Sequence, residues 1–107
     1  MKIYGIKTCD TCRKARKALP EAEFVDVRED GLPAETLQNF WNSLGEPLLN
    51  KRSTTWKTLS EEARSGDPLA LISANPTLMK RPVIEANGQL YLGWTAAVQA
   101  KLLGTGA

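Results

Sequence analysis

Histidine is absent from the 107 residues, cysteine occurs only twice, and neither sign of charge dominates, with 14 lysines and arginines against 12 acidic residues. Each shortage excludes something. Without histidine there is no Cys–His pair, so an activated thiol must draw on a helix dipole and on cations instead of an imidazole base. A structural zinc site takes four ligands, which two cysteines cannot supply within one chain, so no metal is expected. A net charge of +2 is too near balance to imply nucleic-acid or membrane binding by bulk charge. Apolar runs are only a handful of residues long, too short for a membrane span. Met1-Lys2-Ile3-Tyr4-Gly5-Ile6 enters a strand pattern directly, with no apolar leader and no A-x-A-like cleavage site. A reducing cytoplasm is the expected compartment.

What is present is a domain-sized chain. An apolar share of 42% and a charged share of 24% match a folded globular protein, and this length buries a core without needing disulfides. The two cysteines nevertheless stand together as Cys9-Asp10-Thr11-Cys12, just after a strand-like run. Bridging them closes too short a loop to remove much unfolded-chain entropy, so a stabilising staple is a poor reason for the pair. Two thiols one helical turn apart at a helix start are better suited to redox chemistry, because free backbone N–H groups and the positive dipole end favour a thiolate. Cys9 is the predicted nucleophile. Cys12, one turn inward, is the predicted resolving thiol. Lys7 and Arg13 are the cations best placed to approach the Cys9 sulfur, while Asp10 opposes them. Lys14 and Lys17 read as a solvated helix face.

The pattern predicts a strand over Lys2 to Ile6, a helix from about Cys9 to Leu19 stopped by Pro20, and a strand from Glu23 to Val27. Residues 33–79 are expected to be helical, with Pro33 as a first helical residue and a stripe of Leu37, Phe40, Trp41 and Leu44 ended by Gly45. Thr58-Leu59-Ser60-Glu61 reads as a capping box, Asp67-Pro68 as a helix start and Asn75-Pro76 as a break. Asn87-Gly88 then joins two antiparallel strands, Val83 to Ala86 and Gln89 to Leu92. Thr95 caps a last helix through Leu103, and Gly104 onward is expected to fray. This order folds most simply as a single α/β domain over residues 1–107: a mixed four-stranded sheet with helices on both faces, interrupted between strands 2 and 3 by a helical insertion at about 33–79. It is a thioredoxin-like order, in which a CxxC at the first strand-to-helix turn is a redox motif. In such a sheet the turn Lys80-Arg81-Pro82 lies opposite the CxxC. Pro82, at a strand's first residue, suits a cis bond. Arg81 would then be a bidentate donor beside Cys9, fitted to an oxyanion or a glutathione carboxylate.

The ordered set Gly5 to Ala15 around the CxxC, Leu49 to Trp56, and Lys80-Arg81-Pro82 resembles the ArsC/Spx family over residues 1–103. That resemblance implies the thioredoxin-like fold with a helical insertion, shared by glutaredoxin-linked arsenate reductases, small reductases and Spx transcriptional regulators. It puts Cys9 at the catalytic cysteine and Arg81 at the Arg-Pro arginine of the arsenate reductases. Asn50 and Gly93 stand where those enzymes carry two further oxyanion-holding arginines, and Arg52 lies two positions from the first. An arsenate-derived anion would be poorly neutralised by what remains. The resemblance therefore implies a glutathione-dependent thiol reductase acting as a monomer, with glutathione as co-substrate, glutathione or glutaredoxin as partner, no tightly bound cofactor, and Arg81 and Arg52 steering the anion. An Spx-like redox switch that binds RNA polymerase without contacting nucleic acid directly is the alternative, and arsenate reduction stands third.

Overall fold

A computed structural model describes residues 1–103 of the chain, so the expected fraying from Gly104 onward lies outside the described residues. The strands are β1 (Lys2–Gly5), β2 (Glu23–Asp26), β3 (Val83–Ala86) and β4 (Gln89–Leu92), in the sheet order β2-β1-β3-β4. β1 pairs with β2 in parallel and with β3 antiparallel, and β3 pairs with β4 antiparallel. The mixed four-stranded α/β sheet expected from the sequence is therefore present. Residue contacts group the chain into two compact units, one made of Met1–Val27 and the described residues from Arg81 on, the other of Arg28–Lys80.

The first unit holds the whole sheet and two helices, α1 (Asp10–Ala18) and a carboxyl-terminal helix over Ala96–Leu103. Ile3 faces Phe24 across one neighbour and Ile84 across the other, and Ile84 faces Tyr91, so one row of apolar side chains crosses all four strands. Ala15 and Leu19 from the α1 segment and Val98 and Leu102 from the last helix pack on that row. Both helices of this unit thus cover the same sheet face. Ile3 and Ile84 are fully buried, each contributing about 1.5–3 kcal/mol of apolar transfer. The β3–β4 turn takes positive φ at Asn87 (53°) and Gly88 (78°), the conformation that makes Asn-Gly a hairpin signal. Thr95 Oγ1 accepts from the Val98 N–H at 3.2 Å, capping the last helix as its sequence predicts.

The second unit is helical: α2 (Ala34–Leu44), α3 (Thr54–Thr58), α4 (Glu61–Arg64), α5 (Pro68–Ala74) and 3₁₀ turns at Glu46–Leu48 and Pro76–Leu78. Two local expectations shift. Pro33 is the N-cap of α2, in extended conformation, and Ala34 is its first helical residue. Thr58 closes α3 and bonds back to the Thr55 carbonyl at 2.7 Å, so it caps nothing; Ser60 caps α4 by accepting from the Ala63 N–H at 3.1 Å. Two hydroxyls compete for one helix start, and the nearer one takes it. Ser53, not singled out by the sequence reading, caps α3 by accepting from the Trp56 N–H at 3.1 Å. A bridge between Leu49 and Met79 ties the middle of the unit to its last residues, with Asn50 N–H to Leu78 O at 2.7 Å and Lys80 N–H to Leu48 O at 2.8 Å.

Candidate active site

Cys9 is the N-cap of α1, in extended conformation (φ −79°, ψ 122°), with its carbonyl accepting from the Arg13 N–H at 3.0 Å. Its thiol is half-buried, whereas Cys12 is fully buried, and both are free thiols. Cys9 makes no conventional side-chain cap bond, yet three donors act on its sulfur. Burial pushes its pKa up, and the N–H and thiol of Cys12 together with the Arg81 guanidinium outweigh that and hold it below the ordinary thiol value. Cys12 goes the other way: burial pushes it up to about 12, reinforced by its neighbour Cys9. The two thiols of one motif are thus poised in opposite directions, the half-buried one made easier to ionise and the buried one harder.

The loop before Cys9 is fixed by its backbone. The Lys7 N–H donates to Asp26 Oδ2 at 2.9 Å, the Lys7 carbonyl accepts from Arg13 Nε at 3.2 Å, and the Cys9 N–H donates to the Ile6 carbonyl at 3.0 Å. Asp26 is the only buried charged residue among the described ones, at 1% exposure. Arg13 also approaches Asp10 at 3.7 Å, an exposed i, i+3 pair of small energetic weight. Lys7 and Arg13, predicted to bring charge to the sulfur, instead shape the loop, and the cation acting on Cys9 is Arg81. The reason is local: the Arg13 fork finds the Lys7 carbonyl of the preceding loop and the Asp10 carboxylate one turn back.

Arg81 and Pro82 are joined by a cis peptide, and Pro82 is buried, its carbonyl accepting from the Gly93 N–H at 2.8 Å. Arg52 belongs to the helical unit, where its N–H donates to Asn50 Oδ1 at 3.1 Å and its exposed side chain lines a cleft with Lys51 and Lys80. Two contributors escaped the sequence reading. Gly5 sits under Cys12, and its signal was a lone glycine in a strand, which marks close backbone approach. Asp26 was visible as a carboxylate between Val25 and Val27 of the second predicted strand. Among the described residues no cluster of His, Cys, Asp and Glu gathers to hold a metal, and no helix is long and apolar enough to cross a membrane.

The sequence pattern of the ArsC family matches residues 4–101. An uncharacterised protein of Haemophilus influenzae is 40% identical over 101 residues, covering 86% of this chain and 89% of its own. The global transcriptional regulator Spx of Streptococcus pyogenes is 30% identical over 103 residues, covering 86% of this chain and 76% of its own. Among solved structures, an arsenate reductase (ArsC) related protein from Brucella melitensis superposes with a TM-score of 0.72 at 40% identity, over 95% of this chain and 92% of that one. A thioredoxin-like sheet carrying a cap-position cysteine, matched in sequence over nearly its whole described length, makes this chain a member of the ArsC family.

Proposed function

We propose that the protein is a thiol–disulfide oxidoreductase that uses glutathione as its reductant. The observation that carries this reading is the opposite poise of the two thiols, Cys9 held low by Cys12 and Arg81 and Cys12 held high by burial. The Cys9 thiolate attacks one sulfur of a substrate disulfide, forming a mixed disulfide and expelling the other sulfur as a thiolate that takes up a proton. Cys12, its proton lost to solvent or to the leaving thiolate, attacks the Cys9 sulfur and releases the second substrate thiol. Two glutathione molecules then return the Cys9–Cys12 bridge to thiols and leave as oxidised glutathione, so one disulfide is reduced for each one formed. In this reading Arg81 stabilises the attacking thiolate and holds a glutathione carboxylate, a role supported by its lowering of the Cys9 pKa. The test is turnover of a small disulfide in a glutathione-coupled assay. Activity is expected to vanish in Cys9→Ser and to fall or change its glutathione dependence in Cys12→Ser; equal rates for wild type and Cys9→Ser reject the reading.

A second reading is favoured by the CxxC pair together with the likeness to Spx: a regulator whose Cys9–Cys12 bridge alters its affinity for RNA polymerase. It needs no turnover. Capture of polymerase by the oxidised but not the reduced protein supports it, and capture by neither form rejects it.

A further inference from the structure

Helix α1 carries more than the thiols. Counting from Cys9, Arg13 and Arg16 fall at i+4 and i+7, so they continue the side of the helix on which the sulfur stands. Arg13, Arg16 and Lys17 line an open cleft of about 450 Å³ whose apolar floor includes Leu19, Ala22 and Phe24. No carboxylate lines it among the described residues; the one that approaches Arg13, Asp10 at 3.7 Å, is exposed and stands outside the lining. Both guanidinium groups are held in place before any ligand arrives. Arg13 is fixed by the Lys7 carbonyl, and the Arg16 Cζ lies over the Phe24 ring at 4.1 Å from its centroid. A stacked guanidinium uses its face on the ring and keeps its N–H edge for a carboxylate. By helix rise, Arg16 lies about 10 Å along the axis from Cys9, the span of a few residues of extended chain.

We propose that this cleft docks an acidic segment of the protein that exchanges disulfides with Cys9. The inference rests on the thiol-exchange reading and names the class of its partner. Three cations without a lining carboxylate match acidic side chains, and the apolar floor matches a hydrophobic side chain between them, which a bare inorganic anion lacks. Fixed cations lose little side-chain entropy on binding. The cleft therefore selects the partner by charge and aligns its cysteine with the sulfur at the helix start.

The test separates docking from chemistry. A labelled glutamate-rich peptide with a central Leu-Ser, and its lysine-rich counterpart, are titrated with the full chain by fluorescence anisotropy. Wild type is expected to bind the acidic peptide and not the basic one. Arg16→Glu with Lys17→Glu is expected to weaken binding by about tenfold or more, and Arg16→Gln with Lys17→Gln by less, while Lys14→Glu with Lys101→Glu changes it by less than about twofold despite the same charge change as the first pair. The glutamine pair carries the test if the reversed pair folds poorly. Equal binding of both peptides, equal loss in the Lys14/Lys101 control, or no loss in either cleft variant overturns the proposal. In a parallel arm the central serine becomes a cysteine activated as a 2-pyridyl disulfide, beside an uncharged activated thiol. Cys9 is expected to react with the acidic peptide about tenfold faster than with the uncharged probe, and only the cleft variants are expected to remove that gain. A Cys9 inert toward the uncharged probe rejects the thiol-exchange reading, and the anisotropy still judges the cleft.

Discussion

Cys12 rests directly on Gly5 of β1: a Cβ built at Gly5 would stand 2.5 Å from the Cys12 Sγ and 3.2 Å from its Cβ. Side chains do not approach that closely, so the first turn of α1 sits on its strand only because position 5 has no side chain. Gly5→Ala is expected to lift the turn and to destabilise the fold by about 1–3 kcal/mol, the usual cost of overpacking. The measurement is the urea midpoint, which should fall with an unchanged slope. Pairing it with Cys12→Ala should restore part of the loss, because the clash partner is then one atom shorter. A Gly5→Ala protein as stable as wild type would contradict the close approach.

Asp26 tethers the other side of the same loop. Its Oδ2 accepts from the Lys7 N–H at 2.9 Å while the carboxylate itself is 1% exposed. Removing it with Asp26→Ala strands a backbone donor, at an expected cost of about 1–3 kcal/mol, and should speed hydrogen exchange at the Lys7 amide. Asp26→Asn keeps an acceptor of the same shape and should lose less. Unchanged exchange at Lys7 in the alanine variant would show that the loop does not depend on this bond.

Local signals were legible and distant ones were not. The CxxC at a strand-to-helix turn, the Asn87-Gly88 hairpin and the Thr95 cap each depend on a few neighbouring residues, so the chain states them directly. The fit between Gly5 and Cys12 depends on how a helix lands on a strand, which no spacing encodes. Arg13 shows the opposite error: spacing brings it toward Cys9, yet the Lys7 carbonyl of the preceding loop captures it. Ser60 displacing Thr58 as a cap is a contest between two adequate hydroxyls that sequence alone leaves tied. Arg81 became legible only through the predicted element order, which sets its turn opposite the CxxC, since nothing local links it to a cysteine so far away in the chain.

Arg81 supplies the one guanidinium that lowers the Cys9 pKa. In Arg81→Ala, burial is left opposed only by Cys12, so the Cys9 pKa should rise, seen by ultraviolet titration of the thiolate. Once the pKa stands above the working pH, each further unit of rise removes about tenfold of the thiolate, but a more basic thiolate is a better nucleophile, so alkylation should slow by only about threefold per unit. The alkylation rate should therefore keep climbing at pH values where wild type has levelled off. Arg81→Lys keeps the charge without the planar fork and should fall between the two. An unshifted titration in Arg81→Ala would remove Arg81 from the account of Cys9 reactivity.

The buried thiol gives the stability a pH dependence of known sign. Cys12 is raised by burial from an ordinary 9.0 to about 12, so as pH rises the unfolded chain releases this proton before the folded one does. The stability tied to the neutral thiol is complete below the ordinary value and is lost progressively as pH climbs toward about 12. Tyr4, pushed up by burial and by Glu85, adds a decline of the same sign, so the thiol's share must be isolated by substitution. Cys9 acts oppositely: its depressed pKa contributes stability that is present at high pH and fades as pH falls through the folded value. Urea unfolding of the reduced protein at successive alkaline pH values should show falling stability in wild type and a shallower fall in Cys12→Ala. The slope is the readout, because the alanine also removes buried sulfur and lowers stability at every pH. Parallel curves for the two proteins would mean that Cys12 loses its proton as easily in the fold as outside it, and the resolving thiol would then no longer be the one held in reserve.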